Sequence, residues 1–140
     1  MIEYFSEDID FPDIDTKLIS TWVEDVIMDY SRQLGEIAYI FCSDDYILQV
    51  NNDYLKHDYF TDVITFDYCE DNRVSGDLFI SLQTVKSNAE KYDQDYALEL
   101  HRVIIHGILH LCGLKDKTEK DALMMRDAED KALQKLNHEF

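Results

Sequence analysis

Proline and glycine are scarce, one and four in 140 residues, too few for a linker or a low-complexity segment, so the chain is expected to be ordered nearly throughout. Its three cysteines, Cys42, Cys69 and Cys112, are odd in number and form no Cys-x-x-Cys pair, which gives no basis for a disulfide framework or a thiolate zinc site. No window approaches the ~20 apolar residues of a membrane span, and Met1 to Asp8 has no basic segment leading into an apolar run. A cytoplasmic protein with no membrane partner is expected. Positive charge is short as well: 13 Lys and Arg stand against 30 Asp and Glu, a net charge of −17. Such a chain repels polyanions at long range, so contact with a nucleic acid must rest on local charge.

What is present suffices for one core. A hydrophobic content of 46% in 140 residues supports a single domain spanning 1–140 and is too little for two. No repeat recurs at solenoid spacing. Residues 1–5 read as a strand, and an acidic loop through Pro12 leads to a helix from Thr16 to Leu34 with Leu18, Ile19, Trp22, Val26 and Ile27 on its apolar face, ended by Gly35. Glu36 to Cys42 reads as a strand, Ser43 or Asp44 as the N-cap of a short helix, and Lys56 to Phe60 as a polar loop. Asp62 to Tyr68 and Asp77 to Leu82 are β-branched and aromatic runs flanking a turn at Cys69–Arg73, hence adjacent antiparallel strands. Helices follow over Gln83–Tyr92, Tyr96–Cys112 and from Thr118 to about Asn137, the last opened by the Thr118-x-x-Asp121 capping pattern and packed through Met124, Met125, Leu133 and Leu136. Strands first and helices later predict an α+β fold with a mixed β-sheet of about four strands packed with about five helices.

The chemistry-bearing stretch is His106-Gly107-Ile108-Leu109-His110. Two imidazoles four residues apart on a helix lie about 40° apart around its axis and can hold one metal ion. Gly113 can end the helix in a left-handed cap, after which the chain can turn and bring back a third ligand, Asp116. A catalytic-zinc peptidase helix carries Glu directly after the first His to activate water; Gly107 stands there, which disfavours a plain zinc peptidase. Gly inside a helix gives up roughly 1 kcal/mol relative to Ala, so backbone or substrate is expected to pass close to Gly107. Lys115, Lys117 and Lys120 cluster beside this motif, interleaved with Asp116, Glu119 and Asp121 in the manner of a solvated face. Asp62 and Asp77 read as fixing backbone turns, Thr61 and Ser81 as strand-end hydrogen bonders, and Cys112 as core. His57, His101 and His138 lie outside ligand spacing and receive no role.

These motifs resemble those of the YbeY-type metal-dependent endoribonucleases, which mature ribosomal RNA. The family hallmark His-Gly-x-Leu-His-Leu-x-Gly is similar to His106–Gly113, Thr61-Asp62-Val63-Ile64-Thr65-Phe66 resembles its Thr-Asp-Val-Leu-Ser-Phe, and Gly76-Asp77-Leu78-Phe79-Ile80-Ser81 resembles its Gly-Asp-Ile-x-Ile-Ser. The likeness runs from about Asn51 to the C-terminus. Asp116 stands where the family has its third His, Lys115 where it has Asp, and Leu55 where it has an Arg, with Lys56 the nearest substitute.

The resemblance implies a zincin-like domain that holds one divalent ion, zinc, through His106, His110 and Asp116, a ligand set zinc accepts, although two His and one carboxylate also suit Fe(II), Mn or Ni. It implies cleavage of single-stranded RNA in ribosomal RNA 3′-end maturation and ribosome quality control, with ribosomal RNA or its precursor and the ribosome as partners and no DNA. Lys56, Arg102 or Lys115 would steady the phosphate, and no catalytic general base is assigned. Two other classes fit the same residues: a metal-dependent hydrolase of a non-RNA substrate, and a non-catalytic ribosome-associated factor with a structural metal.

Overall fold

The computed structural model describes residues 1–55 and 62–139. In order they form β1 (Ile2–Ser6), α1 (Thr16–Asp29), β2 (Gln33–Cys42), α2 (Asp44–Leu55), β3 (Val63–Asp67), β4 (Arg73–Ser81), α3 (Leu82–Lys91), α4 (Tyr96–Leu111) and α5 (Glu119–Glu139). The strands make one mixed sheet in the order β1-β2-β4-β3, with β2 parallel to β1 and β4, and β3 antiparallel to β4 at the edge. Side chains alternate across the sheet. Ile37, Tyr39, Phe41, Val74, Leu78 and Ile80 join the main core with α1, α4 and α5, while Phe66 and Phe79 pack against a smaller cluster of Cys42, Ile47, Val50 and Ile64 associated with α2. This is the expected α+β fold of four strands and, among the described residues, five helices.

Two buried aromatic residues tie the layers through their polar tips. Trp22 Nε1 donates to the Ala132 carbonyl at 2.9 Å, joining α1 to α5, and the Tyr39 hydroxyl donates to the Ile104 carbonyl at 3.0 Å, joining β2 to α4. Helix starts are held as their sequences dictate: Asp15, Ser43, Ser81, Asp95 and Thr118 each accept a first-turn N–H through the side chain. Among the described residues no helix is long and apolar enough to cross a membrane.

Three expected boundaries move. The first helix ends at Asp29, because Ser31 adopts a left-handed φ of 59° and turns the chain, so Leu34 belongs to β2. Gly35 is therefore inside a strand, at an irregularity in the β2–β4 register; a Cβ there would overlap the Ser75 Oγ and lie 2.6 Å from Arg73 Cγ. Its glycine marks a close approach between strands rather than a helix stop. β4 begins at Arg73, four residues before the expected Asp77, because the turn is closed tightly by Glu70 and Arg73 with Asp71 at φ 54°. The expected loop at Lys56–Phe60 lies outside the described residues.

Gly107 shows what passes close to α4. A Cβ built there would collide with Leu78 Cδ2 from β4 and approach Thr65 Oγ1 of β3 to 3.5 Å, so helix and sheet pack directly at the level of the two histidines. Gly107→Ala is expected to destabilise the fold despite the helix propensity of Ala: the propensity gain is about 1 kcal/mol, against an overpacking cost of roughly 1–3 kcal/mol. Denaturant unfolding decides the sign. The double variant with Leu78→Ala should lose less than the sum of the single losses, because the colliding atom is gone.

Candidate metal centre

α4 brings the two histidines together because its other faces are apolar. Leu100, Val103, Ile104, Ile105, Ile108 and Leu109 are buried in the core, leaving His106 and His110 half-buried on one open stripe, with ring centroids 4.6 Å apart. The helix then ends in the expected left-handed cap. Gly113 has φ +106°, its N–H donates to the His110 carbonyl at 2.9 Å, and the Leu114 N–H reaches the Leu109 carbonyl at 3.0 Å, the paired bonds of a Schellman turn. The turn delivers Asp116 over the histidine stripe. Its Oδ2 is 3.3 Å from His110 Nε2 and 3.7 Å from His106 Nε2.

Each imidazole is oriented through its other nitrogen. His110 Nδ1 lies 3.1 Å from the Leu114 carbonyl oxygen, which can only accept; Nδ1 therefore carries the hydrogen and Nε2 keeps its lone pair available to a metal ion. His106 Nδ1 lies 2.6 Å from Oε2 of Glu129 on α5, which fixes the same tautomer when the ring is neutral. The outer oxygen of Glu129 accepts from Arg102 Nη1 at 2.8 Å, and Arg102 Nη2 donates to Asp130 at 2.9 Å. Burial pushes the Glu129 carboxyl up, but the bonds from His106 and Arg102 outweigh it and hold it below the ordinary carboxylate range. Burial likewise lowers the His106 pKa and Glu129 more than reverses that. Asp62 stands near His106 at the start of β3; burial raises its pKa, opposed by His106 and by N–H donation from its own backbone and that of Val63.

The donor set fits a divalent ion. One ligand atom from each of His106, His110 and Asp116 lies within 4.8 Å of the others. Tetrahedral ligands about 2.0–2.2 Å from a shared zinc lie roughly 3.3–3.6 Å apart, and the two Asp116 separations bracket that range. No other cluster of three such residues capable of holding a metal occurs among the described residues.

The remaining candidates divide. Lys115 is exposed beside Asp116, and Lys56 and Thr61 lie outside the described residues. Arg102, expected to steady phosphate, instead has both terminal nitrogens bonded to carboxylates; the acidic pair it meets on α5 is distant in sequence. Ser81 caps α3 and bonds Asp44 at 2.6 Å, His101 packs edge-on against Trp22, and burial pushes the Cys112 thiol up to about 11. Glu129 escaped the sequence reading. Its signal was an acid inside the apolar stripe of α5, between buried Met125 and Ala128 on one side and Ala132, Leu133 and Leu136 on the other.

Comparison with known proteins places the chain, by sequence and by fold, among relatives. The profile of the family described as "Endoribonuclease YbeY" matches residues 2–137. A Phocaeicola vulgatus protein named Endoribonuclease YbeY is 60% identical over 133 residues, covering 95% of this chain and 96% of the relative. One of the same name from Bacteroides thetaiotaomicron is 55% identical over 132 residues, covering 94% of this chain and 96% of the relative. The solution structure of TM1509 from Thermotoga maritima shares the fold, with a TM-score of 0.69 and 26% identity, over 97% of this chain and 89% of that one.

If Glu129 orients His106 for a metal, its loss should be felt as affinity. Glu129→Ala is expected to weaken zinc binding by about 10–100-fold, the range for partners behind a metal ligand, read by competition with a chromophoric chelator. An unchanged affinity would separate Glu129 from the centre.

Proposed function

The chain belongs to the YbeY family of endoribonucleases, and we propose that it cleaves single-stranded RNA at a centre where His106, His110 and Asp116 hold one zinc ion, in the 3′-end maturation of ribosomal RNA and ribosome quality control. The chain is an endoribonuclease, a hydrolase of phosphodiester bonds, and nothing in the comparisons supports a non-RNA hydrolase or a non-catalytic factor. The observation that carries the site assignment is the convergence of three ligand atoms within 4.8 Å while the Nδ1 of each imidazole is already committed elsewhere.

Three protein ligands leave a fourth position for water or substrate, the pattern of catalytic rather than structural zinc. When bound, the ion supplies Lewis acidity to a phosphoryl oxygen and to an attacking water. The protein's own contribution is positional. Leu114 and Glu129 fix the imidazoles, so the centre undergoes little rearrangement on loading. Asp116 brings a negative charge where a third imidazole brings none, which lowers the net charge of the centre. Lys115, exposed beside it, is assigned to a phosphate oxygen, together with Lys56. Asp62 accepts N–H bonds at the start of β3 and is assigned to holding that strand end.

The third ligand is the sharpest point of test. Asp116→Ala should bind zinc at least about tenfold more weakly, taking the loss of an outer-shell partner as a lower bound, and lose cleavage of single-stranded RNA in parallel. Asp116→His should retain both. Chelation should abolish cleavage by the parent protein and added zinc should restore it. Equal zinc affinity in Asp116→Ala would move the third ligand to Glu119 or Asp121, and intact RNA under the zinc-loaded parent would defeat the nuclease reading. Co-sedimentation with ribosomal subunits tests the ribosome.

A further inference from the structure

Arg102, which holds Glu129 behind the metal centre, also forms a wall of a separate cavity of about 470 Å³, lined by Tyr92, Gln94, Leu98, Glu99, Arg102 and Arg126. That volume lies within the roughly 300–1,000 Å³ of small-molecule sites, enough for one nucleotide. The two arginines differ in what they can offer. The charge of Arg102 is met by Glu129 and Asp130, whereas Arg126 is exposed and makes no ion pair among the described residues. The carboxylate of Glu99 lines the same cavity and interacts electrostatically with both arginines, but no carboxylate of the described residues lies within ion-pair distance of Arg126, so Arg126 is the cation more open to an incoming anion, and a guanidinium matches phosphate oxygens with two parallel N–H donors. Beside it, Tyr92 is 60% exposed, with Lys91 Nζ 5.4 Å from its ring centroid. The side-chain amide of Gln94 offers both a donor and an acceptor, and Leu98 supplies an apolar wall. A cation, an exposed aromatic ring with Lys91 over one of its faces, and an amide around one concavity are the elements with which proteins hold unpaired nucleotides.

We propose that this cavity is a subsite for one unpaired nucleotide of the RNA substrate, its base stacked on Tyr92 and its phosphate paired with Arg126, flanking the nucleotide cut at the metal centre. The proposal rests on the RNA-cleaving reading above. It gives an acidic chain a local hold on a polyanion that does not depend on the metal ligands.

The test uses the zinc-loaded full chain and a fluorescein-labelled single-stranded RNA whose phosphorothioate linkages slow cleavage, with binding measured by anisotropy across a salt series. Arg126→Ala should reduce the magnitude of the log–log salt slope by roughly 0.7, one single-strand phosphate contact, and Arg126→Lys should restore it. Tyr92→Ala should weaken binding on the order of tenfold with the slope unchanged. Lys17→Ala, at the start of α1, should alter neither. Zinc content and helicity equal to the parent's establish that each variant is folded. A parent that binds and cleaves RNA while Arg126→Ala and Tyr92→Ala bind like it overturns the subsite alone. A parent that neither binds nor cleaves overturns the RNA reading and the subsite with it. Uridine monophosphate displacing the strand at a concentration equal to the strand's own Kd would mark a mononucleotide site, and would also overturn the proposal.

Discussion

The reversal of the chain at Gly113 is the constraint on which the centre depends. A φ of +106° is open to glycine and strained for residues with a Cβ. Because residue 113 can adopt it, α4 closes on two backbone bonds, the Leu114 carbonyl is turned back onto His110, and Asp116 arrives two residues later over the histidine stripe. One turn therefore ends a helix, sets a tautomer and brings in a third candidate ligand. It also sets the centre beside the C-terminal end of α4, where the aligned peptide dipoles leave a partial negative charge that favours a cation.

The centre is braced from the other side by α5. A buried carboxylate is costly unless paired, and Glu129 is paired twice, to His106 and to Arg102, which in turn meets Asp130. Among the described residues no buried side-chain nitrogen or oxygen lacks a partner. The packing of α5 against α4 and the aim of His106 are consequently one problem: the helix cannot shift without withdrawing the oxygen that holds the ring. The Trp22 bond to the Ala132 carbonyl, one turn beyond Glu129 on α5, fixes the same helix to α1.

What could be read from the sequence followed locality. His106, His110, Gly113 and Asp116 lie within eleven residues, and helical spacing with one left-handed glycine brings them together without reference to the rest of the chain. The caps at Ser43 and Thr118 and the antiparallel β3–β4 pair were legible for the same reason: each rests on a pattern a few residues long. Gly35 misled because a glycine after a helical stretch is the usual sign of a helix end, while its real cause, the approach of Ser75, lies forty residues away. The pairing of Arg102 with Glu129 and Asp130 was hidden by a comparable separation along the chain. Ion pairs between helices leave no periodic trace, beyond the anomaly of an acid among apolar positions.

The net charge of −17 is a weaker objection to an RNA substrate than it first looks. At physiological ionic strength exposed charges are screened over about 8 Å, so a phosphate responds to the groups nearest it rather than to the sum over the chain. The pairs that Asp25 and Asp29 make with Lys135, Asp127 with Lys131 and Asp130 with Arg102 are already counted in that net charge, so it is distance and screening, not pairing, that weaken the objection. Close to the centre the balance is different. A divalent ion would add two positive charges where Asp116, Asp62 and the Arg102-paired Glu129 bring the negative ones, and Lys115 stands next in sequence. Long-range repulsion then acts chiefly on the rate of encounter, disfavouring non-specific attachment, while the short-range cations decide where a strand is held.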